Sequence, residues 1–273
     1  MPIAVRCLLV LMLAAAPAAA AAAPKADLWP RWTEHDADGP DAIDHTAWTR
    51  FLQRFRRMGG DGVARLDYGA ARDNGGALDD YIDRLTGLEI SRYPRDVQMA
   101  YWINLYNALT VDVVLEHYPV DSIRDIDISP GWFSSGPWGA ELVEVEGEPI
   151  TLNDIEHRIL RPIWADPRIH YAVNCASIGC PNLQPEAFTA DNHERLLERG
   201  AERYINHARG AALIDDELVV SSIYHWFQAD FGGTQAGVLE HLREYADDDL
   251  ASKLEGRTDY GDHRYDWSLN DVE

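Results

Sequence analysis

Residues 94–117 read PRDVQMAYWINLYNALTVDVVLEH, and this stretch is apolar on nearly every side. A helix that is hydrophobic all round is a buried helix, so the stretch predicts a central helix in the core. Asn104 and Asn107 lie three positions apart and share one face of it. A buried amide without a partner costs about 1–3 kcal/mol, so both must bond to something specific. Either they hold a neighbouring backbone, or they orient a catalytic or ligand group.

The other predicted elements are shorter and surround this helix. Apolar periodicity predicts helices over 43–58, 78–88, 190–208, 223–231 and 234–245, and hairpins over 141–152 and 211–221. Strands and helices do not alternate in a βαβ series. We therefore predict an α+β fold: a single mixed domain with a central buried helix, short antiparallel hairpins and surrounding helices. We expect an N-terminal arm and helical cap over 24–94 and a main domain over 95–270.

The segment 169–183 combines an apolar run with a pair of cysteines. Residues 169–174 predict a buried strand that ends in a loop holding Cys175 and Cys180. Such loops commonly carry functional side chains. The same five-residue spacing also allows a disulfide-closed loop without activity, a choice that depends on geometry. The segment is therefore a candidate site whose chemistry stays open.

His157 is the candidate base for a cysteine nucleophile. Asn153 and Glu156 have the form of a capping box, which predicts a helix that starts at Asn153 and carries His157 in its first turns. This helix directly precedes the segment of Cys175. A lone histidine near a helix start is more often a surface or packing residue, and the nearby cysteine is what favours a functional interpretation.

A thiol enzyme needs a cysteine, a base and a group that orients the base. We predict Cys175 as the nucleophile, because small residues follow it, whereas Pro181 constrains the chain after Cys180. His157 supplies the base, and Asn104 or Asn107 orients the histidine or the substrate. Cys180 is then a resolving or structural partner of Cys175.

The sequence contains none of the common metal-binding or cofactor-binding motifs. The sequence has no nucleotide-binding glycine loop, no nucleophile-elbow serine and no zinc-protease motif. Paired C-x-x-C ligands are absent as well, so we predict no cofactor and no metal. A zinc site formed by His157, His170, Cys175 and Cys180 stays open as an alternative.

The amino terminus and the charge bear on location and partners. Residues 1–23 place Arg6 before a short apolar run and a tract of alanines, the pattern of a secretory signal peptide. We therefore expect a periplasmic or secreted protein with no transmembrane segment. The formal net charge of −22 disfavours nucleic acid as a partner. The expected partner is an unknown envelope or extracellular ligand.

Five motifs, in chain order, closely resemble those of the domain-of-unknown-function family number 547. They are WINLYNA (102–108), LNDIEHRILR (152–161), VNCASIGCP (173–181), WFQADF (226–231) and YDWSLN (265–270). The resemblance extends from about residue 95 to residue 270. It implies that His157, Asn174, Cys175 and Cys180 match motif positions, and that His170 and His225 are weaker candidates. The family implies no settled activity.

The leading hypothesis is an exported thiol-dependent hydrolase or acyl transferase that acts on an envelope amide. A non-enzymatic binding domain with a Cys175–Cys180 disulfide and a thiol-redox protein are the alternatives. Substrate contacts are expected from side chains near the cysteine loop and in the motifs, namely Asn174, Ser177, Tyr106 and Asp230. Asp230 is also expected to accept a hydrogen bond from a histidine or an arginine of the site.

Overall fold

The computed structural model describes residues 24–74, 76–131 and 135–272. The predicted signal peptide over 1–23 lies outside these residues. Among the described helices, none is long and apolar enough to cross a membrane. In chain order the α-helices are α1 (Thr46–Phe55), α2 (Tyr68–Arg72), α3 (Gly76–Thr86), α4 (Arg95–His117), α5 (Arg161–Trp164), α6 (His193–Ile205), α7 (Ser222–Trp226), α8 (Gln235–Tyr245) and α9 (Asp248–Leu254).

The strands are three residues long in most cases and form small sheets. They are β1 (Arg56–Met58), β2 (Ala64–Leu66), β3 (Val143–Val145), β4 (Glu148–Ile150), β5 (Ala211–Ile214), β6 (Glu217–Ser221) and β7 (Asp262–Arg264). Adjacent strands pair as antiparallel hairpins, and β7 joins β6 in parallel. The predicted α+β class and both predicted hairpins are confirmed.

The central helix is α4, as predicted. Every residue from Val97 to Leu115 is buried except Asp112, because apolar side chains cover all of its faces. Helices α2 and α3 pack against it, α1 packs on α2 and α3, and together they form the larger hydrophobic core. Burial of this many large side chains, at about 1.5–3 kcal/mol each, makes this core the main source of stability.

A second core lies under the sheet β5–β6–β7. It is rich in buried tyrosines and is covered by α6, α8 and α9. The carboxy-terminal segment then returns to the larger core. There Asn270 N donates to Ala176 O at 3.1 Å and Leu66 N donates to Asn270 O at 2.8 Å, so the tail ties the cysteine loop to β2.

The predicted strand over 169–174 is wrong. Residues Pro167–Tyr171 form a 3₁₀ helix, in which Asp166 caps the turn by accepting from Arg168 N at 2.8 Å. Ala172 N donates to Ile169 O within the same turn. Proline lacks an N–H and has a fixed φ that suits the start of a helix, so the apolar run bonds locally and does not join a sheet.

The predicted cap at Asn153 is also wrong, by two positions. Asn153 is already helical and its side chain makes no capping bond. Thr151 is the capping residue: its Oγ1 accepts from Asp154 N at 3.0 Å, and Thr151 N donates to an Asp154 carboxylate oxygen at 3.0 Å. Thr151-x-x-Asp154 is therefore the reciprocal box. The helix continues as a π-helix over Asp154–Leu160, a form that is frequent at functional sites.

We expect Thr151→Ala to lower the free energy of unfolding by about 1 kcal/mol, because the Asp154 N–H loses its acceptor. Urea unfolding followed by circular dichroism measures the change. Asn153→Ala is the matched control and should be near neutral. A larger loss at Asn153 than at Thr151 would contradict this assignment of the cap.

Candidate functional site

The cysteine loop is closed by a disulfide between Cys175 and Cys180, whose Cα atoms are 6.2 Å apart. Asn174 holds the loop together: its Nδ2 donates to Pro181 O at 2.7 Å, and its Oδ1 accepts from Ala176 N at 2.9 Å. Ala176 has φ +56°, a left-handed conformation that costs a non-glycine residue energy. The two ends of the loop are thus held together by Asn174 as well as by the sulfur bond.

Polar groups surround both sulfurs, and the assigned hydrogen-bond donors face Cys180 Sγ. Tyr265 Oη lies 2.9 Å from Cys175 Sγ and donates to Cys180 Sγ at 3.1 Å. Cys175 N also donates to Cys180 Sγ at 2.9 Å, and Ser177 Oγ lies 3.2 Å from Cys175 Sγ. Burial, with the neighbouring Tyr204, raises the pKa of Tyr265 well above its usual value, so its phenol keeps its proton and can donate. These groups would favour a thiolate over a thiol.

The two sulfurs differ in exposure. Cys180 is buried at 4% exposure, whereas Cys175 is half-buried. The loop also has a tight contact at Gly179, where a Cβ would lie 2.9 Å from both backbone polar atoms of Asp266. Glycine is therefore required for the tail to dock. Cys175 is the sulfur that solvent or a partner can reach.

A second cluster joins the π-helix to the 3₁₀ helix and to Asp230. His170 Nε2–H donates to Asp230 Oδ2 at 2.7 Å, and Arg161 Nε donates to the same oxygen at 2.6 Å. Arg161 also donates to His157 Nδ1 at 2.9 Å. Since a guanidinium can only donate, His157 Nδ1 carries a lone pair and its Nε2 carries the proton. We call His157, Arg161, His170, Asp230 and Glu156 the polar cluster.

Burial and charge set the protonation of this cluster. Burial would raise the pKa of Asp230, but the hydrogen bonds and charges of His170 and Arg161 outweigh it and lower the pKa to about 2. Burial lowers the pKa of His157, an effect that Glu156 opposes and Arg161 reinforces. At neutral pH the site therefore holds an ionised Asp230 and a neutral His157.

Half-buried aromatic rings connect the cysteine loop to the polar cluster. Phe227 stacks on His170 with ring centres 4.5 Å apart, and the Arg161 guanidinium lies 4.6 Å from its centre. Its neighbour Trp226 packs on Tyr265 at 5.0 Å. Two adjacent residues, Trp226 and Phe227, thus place one ring against the tyrosine that contacts both sulfurs and the other against the histidine and arginine that bond to Asp230.

Asn104 and Asn107 bond to backbone. Asn104 donates to Phe188 O at 2.8 Å and accepts from Phe188 N at 3.0 Å. Asn107 donates to Ala172 O at 2.9 Å and accepts from Asn174 N at 2.8 Å. These contacts match the first of the two interpretations given above, in which the asparagines hold a neighbouring backbone.

The remaining predicted residues lie around these two groups. Tyr106 Oη donates to Glu156 Oε2 at 3.1 Å, and Ser177 Oγ donates to Tyr265 at 3.0 Å. Asp230 accepts from both a histidine and an arginine, as expected. The His157 side chain is hydrogen-bonded to Arg161, and neither sulfur is hydrogen-bonded to a histidine among the described residues. The structure thus brings Ser177 to Cys175 and Tyr106 to the polar cluster.

Sequence reasoning ranked His170 too low as a member of the polar cluster and did not identify Arg161 or Tyr265. Arg161 is four residues after His157, the spacing that places two side chains on one helical face, and this signal was available. His170 and Asp230 are sixty positions apart, so their contact depends on the tertiary fold. In the described part of the chain, no group of three histidine, cysteine, aspartate or glutamate side chains is arranged to hold a metal.

Comparison with known proteins identifies one family. The family described as protein of unknown function, DUF547, matches residues 90–205, a span that includes α4, the π-helix and the cysteine loop. No curated protein and no solved structure matches the chain. Residues 90–205 therefore form a domain of the DUF547 family.

Proposed function

We propose that the Cys175–Cys180 pair is a reversible dithiol–disulfide centre, in which Cys175 exchanges with a partner thiol. The observation that carries this proposal is the set of donors around a disulfide whose two sulfurs differ in exposure. A purely structural disulfide needs no such donors. Hydrogen bonds to a leaving thiolate lower its basicity and speed exchange.

The exchange runs in two balanced steps. A partner thiolate attacks Cys175 Sγ, a mixed disulfide forms, and Cys180 leaves as a thiolate that accepts from Cys175 N–H and Tyr265 O–H. A second partner thiolate then attacks the partner sulfur of the mixed disulfide and releases Cys175. The partner dithiol is oxidised to a disulfide by two electrons, and the pair is reduced to a dithiol after uptake of two protons. The reverse sequence oxidises the pair.

The proposed setting is the periplasm or the extracellular space, where disulfides persist and where a signal peptide over 1–23 would direct the chain. Envelope proteins with a disulfide or dithiol are the proposed partners. We also propose 24–94 as an arm and helical cap on a main domain over 95–270. The arm contacts the site, since Arg161 donates to Pro24 O at 2.9 Å and Asp27 N donates to His157 O at 2.9 Å.

A redox titration with alkylation and mass spectrometry tests the centre. We expect reversible reduction with the fold retained, faster alkylation of Cys175 than of Cys180, and a mixed disulfide trapped when the Cys175 thiolate of Cys180→Ser attacks a disulfide-containing peptide and releases one peptide thiolate. Cys175→Ser should trap none. A midpoint potential below about −300 mV, which is typical of structural disulfides, would leave Cys175–Cys180 as a staple and remove the proposal.

Tyr265→Phe tests the role of the donors. Loss of a hydrogen bond to the thiolate, worth about 1–2 kcal/mol, should make the midpoint more negative by about 20–40 mV. Tyr260→Phe is the control, because Tyr260 Oη contacts Gln228 and His225 and neither sulfur. An equal shift in both variants would show that Tyr265 does not act through the sulfurs.

A thiol-dependent hydrolase or acyl transferase is the second candidate. It is favoured by the buried polar cluster, which contains two carboxyl groups and two histidines and whose aromatic contact Phe227 is the chain neighbour of Trp226, the ring that packs on Tyr265. Here the thiolate of reduced Cys175 attacks the carbonyl of an envelope amide, the amine leaves with a proton from His157, and water or an acceptor amine then takes the acyl group from Cys175. His157 is the proposed base through the Nδ1 lone pair that Arg161 holds in this structure. Asn104 or Asn107 are the proposed positioning residues, and the proposed substrate contacts are Asn174, Ser177, Tyr106 and Asp230. Turnover of an amide by the reduced protein, lost in both Cys175→Ser and His157→Ala, separates this candidate from the redox centre.

A further inference from the structure

Arginine side chains gather beside residues 182–184, in a chain whose formal net charge is −22. Arg56, Arg203 and Arg209 line one small cavity together with Asn182 and Gln184. Arg199 adjoins it, since its guanidinium donates to Gln184 Oε1 at 2.9 Å. We call these four arginines the arginine cluster. Convergence of like charges is unfavourable unless an anion offsets it.

Several donors of the arginine cluster lack a partner. Arg199 Nε is buried and has no acceptor, and Arg203 has no hydrogen bond or ion pair within the described ranges. Arg56 Nε donates to Leu183 O at 2.7 Å, and its terminal nitrogens have no acceptor in the same part of the chain. Buried donors in folded proteins are nearly always paired, so the buried Arg199 Nε–H points to an acceptor supplied by a ligand, and the exposed Arg203 is available to the same ligand.

Protein carboxylates neutralise the arginine cluster only in part, through Asp61 at Arg209 and Glu186 at Arg199. Glu186 approaches Arg199 at 3.8 Å, but it lies closer to Arg195, at 3.2 Å. Burial lowers the pKa of Arg56, and the charges of Arg203 and Arg199 lower it further. Burial and the charge of Arg203 likewise lower the pKa of Arg199. The arginines thus repel one another.

We propose that the arginine cluster binds an oxyanion, a phosphate or carboxylate group carried by a ligand. The cavity has a volume of ≈ 10 Å³, room for about one water-sized atom, so one anion oxygen enters it and the others remain at its mouth. Arg203 is exposed at this mouth. Its planar fork can donate two parallel hydrogen bonds to a phosphate or a carboxylate.

The site adjoins the cysteine loop without using its sulfurs. Arg209 donates to Ile178 O at 2.6 Å, to Cys180 O at 2.7 Å and to Asn182 Oδ1 at 3.0 Å. A ligand held by the arginine cluster would therefore be positioned next to Cys180. Because anion binding and thiol exchange depend on different residues, either proposal can fail without the other.

Calorimetry with inorganic phosphate, at constant ionic strength, tests the site, and acetate forms a parallel arm. We expect saturable binding by the wild-type protein, at least about tenfold weaker in Arg203→Gln because a charged hydrogen bond is lost, with partial rescue by Arg203→Lys. Arg203 is the residue chosen for substitution because it makes no hydrogen bond or ion pair among the described residues, so its loss should not disturb the fold. Arg92→Gln is the matched control, since Arg92 is exposed and pairs with Glu89 at 2.9 Å.

Each outcome bears on the proposal. Tighter binding of phosphate identifies a phosphate ester as the ligand group, and tighter binding of acetate identifies a carboxylate. Phosphate also stabilises folded proteins by exclusion from their surface. That general effect should be equal in the wild-type protein and in every variant, whereas binding at the arginine cluster should differ between them. No saturable binding of either anion up to about 50 mM, well above a millimolar Kd, would overturn the proposal. So would equal affinities in the wild-type protein and Arg203→Gln.

Discussion

Asp230→Asn should lower the free energy of unfolding by about 3 kcal/mol at neutral pH, toward the lower end of the 3–5 kcal/mol that follows from breaking a buried ion pair. Asp230 accepts from Arg161 at 2.6 Å and from His170 at 2.7 Å. The Arg161 side chain is only 4% exposed, so its charge would remain buried without a counter-ion. Asparagine still accepts one hydrogen bond, so the loss in the free energy of unfolding should lie near the lower end of this range. Urea unfolding of the wild-type protein and the variant measures this loss.

The pH dependence of the free energy of unfolding provides a second test of Asp230→Asn. The pKa of Asp230 is about 2, against an ordinary value of 3.8. A depressed pKa in the folded state contributes stability above the ordinary value, and this contribution is lost as the pH falls from 3.8 toward 2. The difference in stability between the wild-type protein and Asp230→Asn should therefore narrow from about pH 5 downward.

Asp259→Asn removes an exposed carboxylate with no hydrogen bond or ion pair among the described residues. Its effect should stay within about 0.5 kcal/mol at every pH. If Asp230→Asn were equally mild, the Asp230 carboxylate would not neutralise Arg161 in the folded protein.

The central helix and the hairpins could be predicted because their signals are local. Helix α4 follows from apolar residues over 94–117, and the hairpin β3–β4 follows from alternation around Gly147. Turn residues and periodicity act within a few positions. The fold class depends on these same local patterns, which is why the α+β prediction is confirmed.

Errors arose where one local signal competed with another. The apolar run over 169–174 suggested a strand, but Pro167 and Asp166 begin a 3₁₀ turn there. The Asn153 box was plausible by residue type, and Thr151 offered a second box two positions earlier. Apolar periodicity does not distinguish a short strand from a short helical turn, so the flanking proline should have decided the first case.

The contacts of the candidate site could not be predicted from sequence, because they are long-range. Tyr265 reaches Cys175 across ninety positions, and Asp230 reaches His170 across sixty. Spacing limits which side chains can meet within one helix but says nothing about meetings across the fold. The Cys175–Cys180 disulfide is local, but a five-residue spacing fits a bonded and a free pair equally, so its formation depends on geometry that the sequence does not specify.

Asn107→Leu should lower the free energy of unfolding by about 2–6 kcal/mol, because two buried backbone groups lose their partners at about 1–3 kcal/mol each. Asn107 accepts from Asn174 N at 2.8 Å and donates to Ala172 O at 2.9 Å. These bonds fix the chain just before Cys175. Leucine has a similar volume, so the variant tests the hydrogen bonds without opening a cavity.

Asn107→Leu should change the reactivity of the cysteine loop as well as the free energy of unfolding. Once the disulfide is reduced, Cys175 should be alkylated faster in Asn107→Leu than in the wild-type protein, because the backbone at Asn174 is less firmly held. Asn74→Leu is the control, because Asn74 makes its two hydrogen bonds, to Arg54 and to Ala70 O, at the solvent-exposed surface, where water can replace them. Its substitution should cost less than about 0.5 kcal/mol. A loss below about 1 kcal/mol in Asn107→Leu would mean that water or a local shift satisfies both backbone groups. Asn107 would then be free to serve as a positioning residue for Cys175 chemistry, the other of its two initial interpretations.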